Sequence, residues 1–262
     1  MSLKQAGVQR TMAISTRPVP KSKSEYVAQR LLDRIVASDL APGSTVGTEA
    51  DLLQQFDVSR PTLRESLRIL ESQGVLEMRP GPKGGIMVAK PGMDVLAHGL
   101  SVYLRMHGVP FLAVLKAREV IEPALAAGAA ENATEADLAE LQASVDRMKT
   151  LKDQAEFIEE NRVFHSVLAR ASGNQVMEIF WSTIAILAAG EQENINYTAS
   201  NQQHVVAAHQ SILDACRARD AKLAAERMDD HVRDLERMVR RRYQSLVNQA
   251  TSVVDRRGRI LD

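Results

Sequence analysis

Three helix signals followed by a glycine-rich hairpin crowd into residues 22 to 90, and that order leaves few folds open to the chain. Ser22 with Glu25 three residues on is a capping-box pattern, and Val27, Leu31, Leu32 and Ile35 then recur at helical spacing to about Ser38. Ala41, Pro42 and Gly43 break the chain. Thr48 with Asp51 caps a second, short helix carrying Leu52, Leu53 and Phe56, which Asp57 closes. Ser59 caps a third, where Pro61 is tolerated because the amide it lacks would have no intrahelical partner. Leu63, Leu67 and Leu70 form the buried stripe of this helix, and Gly74 ends it. Two short apolar runs, Val75 to Met78 and Ile86 to Val88, flank a basic, glycine-rich tip containing Gly81 and Lys83.

Three helices and a β-wing describe a winged helix-turn-helix, in which the third helix enters the major groove of double-stranded DNA. Arg60, Arg64 and Arg68 recur every four residues beside its buried stripe, so three guanidinium groups project along one side. Arginine suits base reading because its planar fork pairs bidentately with guanine or clamps a phosphate. The plainer alternative is a solvated basic face. The formal net charge is zero, yet residues 1 to 90 hold 13 Lys and Arg against 9 Asp and Glu, while the remainder is acidic. A basic half of this kind faces a polyanion. Residues 1 to 21, with Lys4, Arg10, Arg17 and Lys21 and no acid, read as a flexible basic arm or an inert leader.

A length of 262 residues suggests two domains. Pro91 and Gly92 mark the linker, after which strand signals give way to helix caps at Thr134, Asp153, Ser200 and Asp220. About seven helices are expected: Met93 to Met106, Phe111 to Asn132 with a kink at Pro123, Glu135 to Leu151, Gln154 to Ala171, Gln175 to Glu193, Ser200 to Arg219, and Ala221 to Asn248. The expected organisation is therefore mainly α: arm 1–21, winged domain 22–90, helical bundle 91–250 and a basic C-terminal tail 251–262. Ordinary apolar and charged fractions exclude a disordered or fibrous chain, and no apolar window is long enough for a membrane span, which points to the cytoplasm. Cys216, the single cysteine, rules out an internal disulfide and a thiolate-rich zinc site, and reads as core filler.

Helical bundles build ligand and metal sites from inward-facing side chains. Asn161 and His165 stand four residues apart, which places an amide oxygen and an imidazole on one helix face. His209 and His231 lie on the last two helices, either side of a turn near Asp220. Converging, these four donors would hold a metal with open coordination positions; separately, each histidine is equally an ordinary satisfied polar residue. His98, His107 and His204 have no comparable partners and read as surface or core-edge residues, and Asn174 as a helix cap.

The run Pro42 to Pro91, above all VSRPTLRESLRILESQG and the RPGPKGG wing, resembles the DNA-binding domain of GntR-type bacterial transcription regulators. That resemblance implies operator contacts from Ser59, Arg60, Arg64, Gly81 and Lys83; Arg68 continues the arginine side of the helix, and Thr62, in its first turn, is counted with the DNA-binding residues. Gly47 and Ala50 depart from the family's usual proline and arginine, which removes one expected DNA contact. Residues 93 to 245 resemble the helical FCD domain of the FadR subfamily through REVIEPALAAGAA, NRVFHSVLARASGN and HQSILDACRARDAKLAAERMDDHV. The resemblance implies a divalent metal (zinc, nickel or manganese) at Asn161, His165, His209 and His231, with asparagine standing where the family usually has aspartate. Arg118 matches an arginine that pairs with an effector carboxylate; its alternative is an exposed pair with Glu122, four residues on.

A homodimeric transcription regulator is the expected function, binding a pseudo-palindromic operator with an affinity set by a small carboxylate metabolite. A metal-free acyl-CoA pocket is the second possibility. A metal-dependent hydrolase is the third, and it leaves the winged domain unexplained; no nucleophile elbow, phosphate loop or paired-carboxylate pattern supports catalysis.

Overall fold

The computed structural model describes residues 22–81, 85–90, 92–192, 195–255 and 259–261. The chain divides at Gly92 into two compact units. Residues 1–21 and the wing-tip Lys83 lie outside the described residues.

In the first unit α1 (Lys23–Ala37), α2 (Glu49–Phe56) and α3 (Arg60–Ser72) start at Ser22, Thr48 and Ser59, whose side-chain oxygens each accept an amide hydrogen from the first turn. Thr48 and Asp51 complete a reciprocal capping box. Asp57 closes α2 in the left-handed conformation, and Gly74 turns the chain out of α3 at φ +71°. The wing pairs β2 (Leu76–Arg79) with β3 (Gly85–Val88) antiparallel, Leu76 opposite Val88 and Arg79 opposite Gly85. A third strand, β1 (Thr45–Gly47), adds to the other edge of β3, giving the order β1-β3-β2. Sequence reading passes over β1 because three residues are too few to show alternation; its pairing with β3, with Val46 buried beneath, reveals it. Leu31, Leu52, Leu63 and Leu70 meet Val46, Leu76, Ile86 and Val88 in one core.

The second unit begins with α4 (Met93–Met106) and α5 (Phe111–Asn132), followed by α6 (Glu135–Thr150), α7 (Gln154–Ala171) and α8 (Gln175–Gln192). Then come α9 (Ala199–Arg217), α10 (Ala221–Arg242) and the single-turn α11 (Gln244–Asn248). Thr134, Asp153 and Asp220 cap α6, α7 and α10 as expected, and Asn174 Oδ1 accepts from the Met177 amide. Thr198, rather than Ser200, caps α9, because Asn201 then stands in the third helical position and bonds back to it. The last long helix stops at Tyr243 instead of running on to Asn248. The α5 helix continues through Pro123 and is the axis of the unit, packing most extensively on α10 and also on α7, α8 and α9. At Gly128 a Cβ would stand 3.0 Å from the Ser172 carbonyl oxygen, so the missing side chain lets α5 approach the end of α7.

The tail is the largest departure from expectation. Val254 is 1% exposed, and β4 (Val253–Val254) pairs with β5 (Ile260–Leu261). The Val254 carbonyl oxygen accepts from His98 Nδ1 at 2.6 Å, while the Val254 amide donates to Ser101 Oγ on α4. The arginines of this segment mask a valine pair that needs a partner surface, and α4 supplies it. Arg259 is taken up by Asp255 at 2.7 Å; Arg256 and Arg257 lie outside the described residues. Cys216 is fully buried among apolar side chains, and burial pushes its thiol up to about 11, consistent with a filler. Among the described residues, no helix is long and apolar enough to cross a membrane.

Candidate functional site

On the first unit, Arg60, Arg64 and Arg68 are exposed along α3. Ser59 Oγ and Thr62 Oγ1 lie 2.8 Å apart in the helix cap, so both hydroxyls mark the helix end that carries the arginines. Arg64 Nε donates to Glu49 Oε1 at 3.2 Å, and Arg68 stands 3.7 Å from Glu65. Both are surface pairs, worth only about 0–1 kcal/mol and readily exchanged for a phosphate or a base edge. Ala50 is exposed on α2 and offers no cation. Gly81 is exposed at the end of the wing, with φ +104°.

Inside the second unit the three expected histidines converge. His165 of α7, His209 of α9 and His231 of α10 are all buried, and one ring nitrogen from each lies within 4.8 Å of the others. His231 Nε2 stands 3.3 Å from both His209 Nε2 and His165 Nε2. Metal–nitrogen bonds of about 2.0–2.1 Å at tetrahedral to octahedral angles span roughly this separation, so the donor set fits a divalent ion. The packing around the rings is specific: Phe164 stacks on His209 at 3.9 Å between centroids, and Trp181 lies parallel to His165 at 6.1 Å. His209 Nδ1 is buried without a hydrogen-bond partner.

Glu122, which sequence reasoning treats only as a surface partner of Arg118, is central to the site. It is 1% exposed; one carboxylate oxygen takes the Arg118 Nε hydrogen and the other lies 2.5 Å from His165 Nδ1. The second contact is a close charge-to-ring approach rather than an aligned hydrogen bond, since neither atom has a hydrogen-bond partner of acceptable geometry. A carboxylate there favours the proton on Nδ1 and leaves the Nε2 lone pair facing the other histidines. Burial pushes the Glu122 carboxyl up, but Arg118 and then His165 outweigh it and hold it well below the usual carboxylate range. The Arg118–Glu122 pair therefore exists as the spacing allows, but it is buried rather than exposed. Only a contact across helices, α5 to α7, distinguishes the two cases.

Two cavities flank the cluster, and Arg118 and Asn161 line both. The larger, 590 Å³, lies against His165, Trp181, Ile158 and Arg162. The smaller, 70 Å³, opens past His231, Tyr197 and His204. Glu122 is the only polar partner of Arg118 among the described residues, so the remaining guanidinium hydrogens are free to meet a ligand. His204 joins the site margin through Asp234, 2.9 Å away, a role its sequence neighbours do not suggest. His98 and His107 are remote from the cluster, bonded to Val254 and Tyr103.

Burial, followed by the neighbouring imidazoles, depresses His209 well below its ordinary value and His231 to about 3. Both are uncharged in the fold and gain a proton, near pH 6.5, only on unfolding. Stability of the metal-free chain is therefore complete above that pH and falls as the medium is acidified below it, because each histidine then takes up a proton only in the unfolded chain. Glu122, whose depressed value gives stability lost only as the pH falls below its ordinary value near 4.5, is silent between pH 7.5 and 5. Urea denaturation of chelator-treated protein at pH 7.5, 6 and 5 checks this; a flat profile would contradict it.

Residues 23–88 match the family described as bacterial regulatory proteins, gntR family, and residues 113–234 match the FCD domain. Together they take in more than two thirds of the chain. The chain belongs to the GntR family. Similar proteins include the HTH-type transcriptional repressor NanR of Cronobacter sakazakii, 29% identical over 232 residues, with 84% of this chain and 86% of that protein covered. The protein of the same name from Citrobacter rodentium is 28% identical over the same span. Among solved structures, Streptococcus agalactiae GntR superposes with a TM-score of 0.65 at 25% identity, covering 82% of this chain and 99% of that one. This GntR-family member is thus a DNA-binding transcription regulator with a winged N-terminal domain and a C-terminal FCD domain.

Proposed function

We propose that this regulator acts in the cytoplasm as a homodimer on a pseudo-palindromic operator, and that a small carboxylate metabolite held at a divalent metal in the helical domain tunes its affinity. The arm 1–21, winged domain 22–90, effector domain 91–250 and C-terminal segment 251–262 are the divisions of labour in this reading. On the DNA side Ser59, Arg60, Thr62, Arg64, Arg68, Gly81 and Lys83 are the contacts. His165, His209 and His231 hold the metal (zinc, nickel or manganese), with Asn161 giving a carbonyl oxygen. When bound, the ion supplies a Lewis-acid anchor for carboxylate oxygens. Arg118 donates its free guanidinium hydrogens to the same ligand. We read the site as a sensor rather than a catalyst, as the similar proteins named NanR are transcriptional regulators. Those named NanR are repressors, which favours repression here.

The observation that carries this reading is the convergence of three buried imidazole Nε2 atoms beside a cavity. Linkage supplies the regulation: a ligand shifts the DNA-competent population by its differential affinity for the two states, typically about 1–3 kcal/mol. The test is metal content per chain, by plasma mass spectrometry, of protein purified without chelator or metal resin. About one ion per chain, lost in His209→Ala, is expected. Wild type that stays metal-free after incubation with zinc, nickel or manganese would refute the metal site.

A further inference from the structure

A folded chain leaves large apolar side chains in water singly, and an adjoining set of them marks a surface that something covers. In the helical unit α5 and α8 pack on each other through Ile121, Leu125, Met177 and Trp181. The residue before each of these, Val120, Ala124, Val176 and Phe180, lies about 100° round its helix from that seam and faces solvent. Val120 is 76% exposed, Val176 60% and Phe180 55%. Gly128, near the end of α5, stands against Ser172, just before α8 begins, and Arg118 shares a cavity wall with Ala185 and Ala188, so the two helices run antiparallel. In an antiparallel pair the same offset turns both sets to one side, which joins the four residues into a single face. The apolar residues of α5 are spread all round it, the pattern of a helix covered on every side, yet this side is bare in one copy.

We infer that a second copy of this chain seats on the α5/α8 face, with Val120 and Phe180 at the centre of a two-fold interface. None of the four side chains is charged, and Lys116, one turn before Val120, is taken up by Glu119 and Glu236. The face therefore offers nothing to a charged partner, whereas an identical neutral face complements it, as a two-fold contact requires. The area agrees. Val120, Val176 and Phe180 with their flanking alanine leave on the order of 400 Å² of apolar surface in water, a size that marks an interaction patch and about half of the roughly 800 Å² per partner in a stable interface. The inference rests on the homodimer reading above and gives that dimer a surface. It also gives α8 two roles, because Trp181, next to Phe180, is buried on the inner side as a wall of the 590 Å³ cavity.

Analytical ultracentrifugation of the full-length protein tests the interface. Wild type at about 10 µM is expected to sediment at twice the mass of one chain. Val120→Glu and Phe180→Glu are each expected to raise the dissociation constant at least about hundredfold, because a two-fold interface buries every introduced charge twice. Phe180→Leu keeps the dimer. Val36→Glu, at an exposed valine of α1 in the first unit, leaves it unchanged. Helical content by circular dichroism stays at the wild-type level in all of them, since the substituted side chains face solvent in a single copy. Dimers in both Val120→Glu and Phe180→Glu, dissociation by Val36→Glu alone, or loss of helical content in both α5/α8 glutamate variants would each overturn this inference while the homodimer reading stands. Wild type at the mass of one chain would overturn the two together and leave the face to a partner of another kind.

Discussion

Glu122→Ala is expected to cost the helical unit about 3–5 kcal/mol, the largest single loss in this chain outside its apolar core. Glu122 is 1% exposed and faces a guanidinium on one side and an imidazole on the other. Removing it leaves the 6% exposed Arg118 with no other polar partner among the described residues, and a buried charge without a partner is far more costly than a broken surface pair. The converse substitution removes the problem rather than the partner: Arg118→Met combined with Glu122→Leu should recover more than half of the loss, because buried pairs replaced by apolar groups of similar volume are often neutral. Chemical denaturation followed by circular dichroism measures all three proteins. A single-variant loss below about 1 kcal/mol would show that Glu122 is solvated and that the pair has the value of a surface contact.

Arg64→Ala has the second large effect, on DNA. Each lost arginine contact typically costs about 1–3 kcal/mol, and the proposed two-fold complex would lose it twice, about 2–6 kcal/mol in all. The side chain is 64% exposed and, among the described residues, restrained only by Glu49, so little is spent in releasing it. Glu49→Gln is the matching control: freeing Arg64 should leave operator affinity unchanged or raise it a few-fold, with a similar salt dependence. The operator is obtained by selection from a random-sequence pool, and affinities are compared by fluorescence anisotropy across salt concentrations. Wild-type affinity in Arg64→Ala would remove α3 from the groove.

Much of the organisation is readable along the chain because the signals are local. Caps at Ser22, Thr48, Ser59, Thr134, Asp153 and Asp220 act within their own first turns, and the leucines of α3 repeat at the period of one helix. Local signals also fail in recognisable ways. Thr198 and Ser200 compete for one cap, the three residues of β1 are too few to carry a period, and Val253–Val254 sits inside a run that reads as basic tail.

Two residues of the site, Glu122 and His204, had to be found in space. The motif that contains Arg118 and Glu122 shows only that they share a helix face; that the face is buried, and that His165 stands behind it, depends on how α5 meets α7. His204 reaches the site margin only because α9 lies against α10. Helix positions, the winged domain and the identity of the candidate metal donors were thus determined by the sequence itself, through periodicity, capping and motif. The tertiary structure alone decided which charges cancel, because desolvation and Coulomb attraction depend on distances between segments that no spacing along the chain records.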